Sequence, residues 1–264
     1  MLPEFGLSGK VAIVTGGGRG IGKAITLTLA EAGADVVVTG RTPETLEGVA
    51  EEVARLGRKC LAIPADVSIS EQVDAVVAQA VAEMGKIDIL VNNAGVHLHK
   101  AIVPLPDARA WQDETRMSDA EWQKLININL SGAFHCIRAV GPHMIKQNYG
   151  KIIVISSVLA FRGGRYNVIY GASKAGLVGL IKSLAQEWAR YKINVNAIAP
   201  GLTPTELVQK EIEKEDVLQK HLRFIPLRRL ADPREIGLAA VYLASPAADY
   251  MTGQVLVLDG GSIA

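Results

Sequence analysis

Short, apolar, β-branched runs recur along the chain, and each is followed by a longer stretch whose apolar positions return at helical spacing. The runs Val11–Thr15, Asp35–Thr39, Cys60–Ala65, Ile87–Val91, Lys151–Ser156, Ile193–Ala199 and Gln254–Leu258 predict strands. A helical pattern follows the first strand through Ala32. Further patterns fill Glu44–Leu56, Ser70–Met84, Asp119–Gln147, Tyr170–Arg190 and Pro233–Ala244. Regular alternation of strand and helix predicts an α/β protein with a parallel sheet covered by helices on both faces.

Composition narrows the picture. The 264 residues are 49% hydrophobic, enough for one sizeable core, and no Ser/Gly/Pro-rich linker or repeat divides them, so a single domain over 1–264 is expected. A formal charge of +1 with both signs interspersed gives neither a nucleic-acid footprint nor a polybasic membrane patch. Cys60 and Cys136 lie in apolar segments without a framework pattern, which suits a reducing compartment. Met1–Phe5 lacks the charged and apolar regions of a secretory leader. No uninterrupted apolar run approaches the ~18 residues of a membrane span, so a cytoplasmic protein is expected.

The candidate chemistry lies at two ends of the pattern. The first strand breaks at Gly16-Gly17-Gly18-Arg19-Gly20-Ile21-Gly22 before a helix begins. Glycines there let backbone N–H groups approach a pyrophosphate, and the helix dipole favours negative charge. The second strand ends Val38-Thr39-Gly40-Arg41-Thr42, with no carboxylate before Glu44 to accept from ribose hydroxyls. Arg41, with Arg19 opposite, instead offers a guanidinium suited to a 2′-phosphate, and this points to NADP, with NAD as the alternative. Far downstream, Tyr170 and Lys174 stand one helical turn apart on one face, where an ammonium lowers the pKa of a neighbouring phenol. Ser157 follows the apolar run Ile152–Ile155, which would deliver its hydroxyl to the same cleft. Taken alone, a Tyr-x-x-x-Lys pair also suits a solvated helix face.

Thr15-Gly16-x-x-x-Gly20-x-Gly22, Asn92-Asn93-Ala94-Gly95, Ser157, Tyr170-x-x-x-Lys174 and Pro200-Gly201 together resemble the short-chain dehydrogenase/reductase family, from about Lys10 to Gly261. The resemblance implies a doubly wound Rossmann-type sheet of seven strands and hydride transfer between nicotinamide and a carbonyl or secondary alcohol. It implies that Tyr170 moves the proton, that Lys174 tunes it and binds the nicotinamide ribose, and that Ser157 holds the substrate oxygen. Asn129 would hold a water linking Lys174 to solvent, while neighbouring Asn127 does not match. The glycine turn (Gly16, Gly18, Arg19, Gly20, Ile21, Gly22) would bind cofactor with Arg41. Asp66 and Val67 would contact the adenine, Asn93 the ribose, and Pro200, Gly201, Thr203 and Thr205 the nicotinamide amide and phosphates. Asp66 also reads as a cap for the helix near Ser70, and Asn93 as a structural turn residue.

The substrate side is less legible. His97-Leu98-His99 lacks acidic or thiol partners at ligand spacing, which favours a pocket rim over a metal site. The segment Leu98–Trp122, with Pro104, Pro106 and Trp111, is longer than the family's usual connection. Phe161, Arg162 and Arg165 lie between Ser157 and Tyr170, and Leu207–Arg223 reads as an amphipathic flap over a small-molecule substrate. The candidate activities are 3-oxoacyl-carrier-protein reductase and a sugar or polyol dehydrogenase of gluconate type; a non-enzymatic NADP-binding regulator is the third. The helices Asp119–Gln147 and Tyr170–Arg190 carry more apolar surface than one sheet-facing stripe needs. The resemblance implies that they form a four-helix dimer contact within a homotetramer.

Overall fold

The computed structural model describes residues 2–105, 115–205 and 215–264. Its strands are β1 (Val11–Thr15), β2 (Asp35–Gly40), β3 (Cys60–Pro64), β4 (Ile89–Asn92), β5 (Gly150–Ile155), β6 (Ile193–Pro200) and β7 (Val255–Leu258). They pair in parallel in the order β3-β2-β1-β4-β5-β6-β7. This is the doubly wound Rossmann-type sheet, extended by a seventh strand. The order reverses between β1 and β4, where Ile13 pairs with Val37 on one side and Leu90 on the other. A crevice therefore opens beyond the carboxyl ends of these strands, the general ligand position of such sheets.

The helices are α1 (Gly20–Glu31), α2 (Pro43–Arg55), α3 (Ser70–Met84), α4 (Asp119–Ile126), α5 (Gly132–Gln147), α6 (Leu159–Arg162), α7 (Val168–Trp188), α8 (Glu215–Arg223) and α9 (Pro233–Ala244). The period of two along each strand divides the core into two layers. Ile13 and Val37 face α3, α5 and α7, joining Val77, Ile137, Val140, Leu177 and Ile181. Ala12, Val14, Val36 and Val38 face α1, α2 and α9, joining Leu29, Val49, Ile236 and Leu243. Each buried aliphatic side chain removes apolar surface worth about 1.5–3 kcal/mol from water.

Three departures from the sequence pattern have local causes. The predicted continuous helix Asp119–Gln147 is interrupted by a π-helical segment, Asn127–Ser131, in which the Gly132 N–H bonds the Asn127 carbonyl five residues back. The fourth strand begins at Ile89 rather than Ile87, because the Asp88 carboxylate itself accepts the Val11 N–H at 2.9 Å. By length and composition alone Val168–Tyr191 is long and apolar enough to cross a membrane, although Lys174 and Lys182 interrupt its apolar run. Here Leu177, Ile181 and Ala185 of that helix are buried in the core against the sheet. The helix Leu159–Arg162 was not legible in the pattern at all, being a single turn.

Candidate active site

The chain turns immediately after β1. Gly16 (φ +63°) and Gly20 (φ +53°) adopt left-handed backbone that side chains rarely tolerate. A Cβ on Gly22 would lie 2.1 Å from the Gly16 carbonyl oxygen and 2.4 Å from Asn93 Nδ2, so α1 packs on the turn too closely for any side chain. The residue capping α1, Arg19, makes no side-chain cap bond, and no acidic residue stands in the first turn. The backbone N–H groups of the Gly20-Ile21-Gly22 turn thus form a helix N-terminus able to receive an anion. Gly18 backs onto Thr45, where a Cβ would come within 2.6 Å of the hydroxyl oxygen. Thr205 stands across from Gly20, its Cγ2 3.2 Å from where a Cβ would be. The glycine turn and the segment after β6 are therefore neighbouring walls of one cleft, and the cradle fits a dinucleotide pyrophosphate.

The remaining candidates converge at the ends of β4 and β5 and the start of α7. Tyr170 is partly buried and hydrogen-bonded by Ser157. Lys174 is buried, and its Nζ donates to the Ile155 carbonyl at 2.8 Å, while Ser156 Oγ donates to the Lys174 carbonyl at 2.9 Å. Asn129 lies in the π-helical segment and its carboxamide clamps Val96: Oδ1 accepts from the backbone N–H at 2.8 Å and Nδ2 donates to the carbonyl at 2.9 Å. Nδ2 also donates to Ser173 Oγ at 3.2 Å, and that hydroxyl donates to the Tyr170 carbonyl at 2.8 Å. A Cβ on Gly95 would stand 3.5 Å from Lys174 Nζ and 3.4 Å from Asn129 Oδ1. Asn92, Thr15, Asn129 and Lys174 line a cavity of about 10 Å³, room for about one water. The buried Asn92 carboxamide has no hydrogen-bond partner among the described residues.

These positions can be set beside known proteins. The family model described as enoyl-(acyl carrier protein) reductase matches residues 16–262. A 3-oxoacyl-acyl-carrier-protein reductase of Thermotoga maritima is 38% identical over 257 residues, covering 97% of this chain and 99% of its own. A 2-dehydro-3-deoxy-D-gluconate 5-dehydrogenase of Dickeya dadantii is 39% identical over 267 residues, covering 100% and 99%. The crystal structure of a gluconate 5-dehydrogenase from Burkholderia cenocepacia, in complex with NADP and tartrate, superposes with a TM-score of 0.88 at 35% identity, covering 98% and 97%. The chain belongs to the short-chain dehydrogenase/reductase family. It is accordingly an oxidoreductase acting on hydroxyl and oxo groups.

Within this short-chain dehydrogenase/reductase, burial is the main influence on both members of the tyrosine–lysine pair. Burial pushes the Tyr170 phenol up to about 12, against the opposing hydrogen bond from Ser157. Burial likewise pushes the Lys174 ammonium down to about 8. Helical spacing alone predicts that Lys174 lowers the pKa of the Tyr170 phenol. In the folded chain Lys174 Nζ lies 5.6 Å from the Tyr170 ring centroid and is committed to Ile155, so desolvation outweighs the pair attraction.

The cofactor candidates are similarly constrained. Arg41 is exposed just past β2, and its charge acts on Asp66 across the ends of β2 and β3. Burial is the largest influence on the Asp66 carboxyl and raises it, but the Ser68 hydroxyl and amide, with Arg41, together hold it below its ordinary range. Asp66 does not cap the helix near Ser70: its Oδ1 accepts from Ser68 N and Oγ at 2.9 and 2.7 Å, a turn two residues long, and α3 begins without a side-chain cap. Val67 is buried against Gly132 and lines the cavity beside Lys174. Asn93 Nδ2 donates to the Thr15 and Gly16 carbonyls at 3.0 and 3.2 Å, tying the Asn-Asn turn to the glycine turn.

Pro200 ends β6. Gly201 donates to the Leu258 carbonyl at 2.8 Å and sits so near Asp259 that a Cβ would meet its Cα at 2.8 Å. Thr203 is buried, with its hydroxyl on the Gly201 carbonyl at 3.2 Å.

On the substrate side, the His97 ring stands edge-on to Tyr170 with centroids 4.8 Å apart, and His97 Nε2 bonds Asn167 Oδ1. His99 packs edge-on to Tyr166, whose carbonyl accepts from the Lys100 N–H at 2.8 Å. No group of three or more metal-ligating side chains occurs among the described residues. Phe161, Arg162 and Arg165 are exposed. Pro106, Trp111 and the first part of the Leu207–Arg223 flap lie outside the described residues, and α8 buries no residue. Both cysteines are free thiols pushed up to about 12 by burial. Sequence reasoning missed the Asn167–His97 bond and the Ser173 link; an Asn directly before a helical run was the available signal for the first.

Proposed function

We propose that this oxidoreductase transfers hydride between NADP(H) and a carbonyl or secondary alcohol, with Tyr170 as general acid and base. The observation that carries the reading is the convergence of Ser157, Tyr170 and Lys174 in a cleft that begins at the glycine turn. The nicotinamide supplies or accepts the hydride when bound, and the chain manages one proton. In reduction Tyr170 gives its phenolic proton to the carbonyl oxygen as charge develops there, and Ser157 donates a second hydrogen bond to the same oxygen. Lys174 places a cation beside the phenol, 5.6 Å from its ring centroid, and this opposes but does not outweigh the burial that keeps the phenol protonated. Asn129 fixes the π-helical turn against Val96 and Ser173, and through them the start of α7.

NADP rather than NAD is favoured by Arg41 and by the absence of a carboxylate at the end of β2, where the chain reads Thr39-Gly40-Arg41. The NADP in the Burkholderia cenocepacia complex is in keeping with this. Gly16, Gly18, Arg19, Gly20, Ile21 and Gly22 would hold the pyrophosphate side, Asp66 and Val67 the adenine, Asn93 and Lys174 the ribose, and Pro200, Gly201, Thr203 and Thr205 the nicotinamide end. Two substrate classes follow from the names of relatives, 3-oxoacyl thioesters and sugar acids. We place the enzyme in the cytoplasm, as those metabolic activities imply. We further propose a homotetramer. Ala172, Ala175 and Gly179 of α7 are exposed, and Phe134 of α5 is 46% exposed, leaving small and apolar residues on one flank. Light scattering at micromolar concentration tests this, and a 28.1 kDa species would refute it.

The deciding experiment follows nicotinamide absorbance with NADPH and NADH against sugars, 3-oxoacyl thioesters and cyclic ketones, in both directions. Reduction of any of these with NADPH supports the reading. Tight NADPH binding without turnover across the whole panel would favour a regulator.

A further inference from the structure

We propose that His97 reads a hydroxyl group beside the reacting carbon, so that the substrate is an α-hydroxy ketone or the corresponding vicinal diol. The inference rests on the oxidoreductase reading above and adds the substrate class to it.

Asn167 is the N-cap of α7, three positions before Tyr170. Its Nδ2 donates to the Arg165 carbonyl at 3.0 Å, which orients the carboxamide and leaves Oδ1 to accept. Oδ1 is bonded by His97 Nε2. A carbonyl oxygen cannot donate, so the proton of that bond belongs to the imidazole, and neutral His97 carries it on Nε2. The other nitrogen, Nδ1, is left with an unshared pair. It makes no hydrogen bond among the described residues. The ring is also fixed in space, because it stands at 85° to the Tyr170 ring with 4.8 Å between centroids.

A substrate whose oxygen rests on Tyr170 and Ser157 places its neighbouring carbons beside this ring. His97 is itself only partly exposed, so a bound substrate covers it further. An acyl chain or other plain hydrocarbon would desolvate Nδ1 and give nothing back, whereas a hydroxyl would donate to it. Sites built to bond a hydroxyl discriminate strongly against analogues that lack it, because their polar group is then buried unpaired. The geometry therefore favours polyhydroxylated substrates over thioesters of long acyl chains. Metal binding is not needed to explain the histidine.

A matched pair of ketones isolates the effect. With NADPH, wild-type enzyme should reduce 2-hydroxycyclohexanone with kcat/KM about tenfold or more above that for cyclohexanone. In His97→Phe, which keeps an aromatic edge against Tyr170, the ratio should fall to within about threefold of unity. The ratio is the readout because any indirect damage to Tyr170 lowers both rates and cancels. A wild-type ratio near one, or a ratio that survives in His97→Phe, overturns the assignment while leaving the oxidoreductase reading intact. Failure to reduce either ketone, any sugar or any thioester overturns both. Independently, nitrogen-15 shifts of the His97 ring in the free protein should show Nε2 protonated and Nδ1 bare, and the opposite tautomer would sink the proposal.

Discussion

Lys174 Nζ donates to the backbone carbonyl of Ile155 at 2.8 Å, joining the first turns of α7 to the last residue of β5. The bond holds a buried ammonium next to Tyr170 at a place where neither partner is solvated well. Burial alone drives the two groups apart in pKa, the phenol to about 12 and the ammonium to about 8. The pair is thus poised so that added charge in the cleft has a large effect on where the proton sits.

Replacing Tyr170 by Phe removes the hydroxyl and leaves the ring. We expect kcat to fall by about 10²–10⁴-fold with NADPH affinity little changed. Steady-state kinetics and fluorescence titration of the cofactor check both halves. Near-normal turnover would mean that another group supplies the proton.

Lys174 gives a pH signature for stability. Its folded-state pKa of about 8 lies below the ordinary lysine value of 10.5, so in that window the unfolded chain binds the extra proton. Stability contributed through this group therefore rises as pH increases from about 8 to about 10. Relative to Lys174→Met, wild-type protein should gain on the order of 1–3 kcal/mol across that range, by denaturant titration at each pH. A flat difference would show that Lys174 is not desolvated.

Arg41→Ala should weaken NADPH binding by about 1.5–3 kcal/mol, the scale of a hydrogen bond to a charged group. NADH binding should change little, because NADH lacks the 2′-phosphate. Calorimetry with each cofactor measures this directly, and equal losses would remove Arg41 from cofactor selection.

Gly22→Ala forces a methyl group to within 2.1 Å of the Gly16 carbonyl oxygen, and backbone must move to admit it. We expect destabilisation of about 1–3 kcal/mol, as for other overpacked sites, together with weakened NADPH binding. Thermal unfolding and cofactor titration test the two consequences. Gly48→Ala, on α2 with nothing within 4 Å of the new methyl, is the control for a harmless glycine substitution.

The sheet was legible in the chain because its strands are short apolar runs, and burial on both faces leaves such runs no other stable use. The glycine turn was legible for a related reason: Gly20 and Gly22 mark backbone that no side chain could share, one by its positive φ and the other by contact. Spacing also placed Tyr170 and Lys174 on one helix and Ser157 at the end of a strand. Tertiary structure decided the rest. No local pattern could show that Asn129 lies in a π-helical turn, since the extra residue is accommodated only when its carboxamide finds Val96 and Ser173 from elsewhere in the chain. The direction of the Tyr170 shift was likewise beyond the sequence, which gives the neighbour but not the depth of burial that outweighs it. His97 and Asn167 lie 70 residues apart, and their bond exists because the segment after the central strand β4 and the start of α7 meet beyond the carboxyl ends of the strands. Sequence spacing fixes which side chains share an element; the desolvation and long-range contacts that set their chemistry arise only when the elements pack.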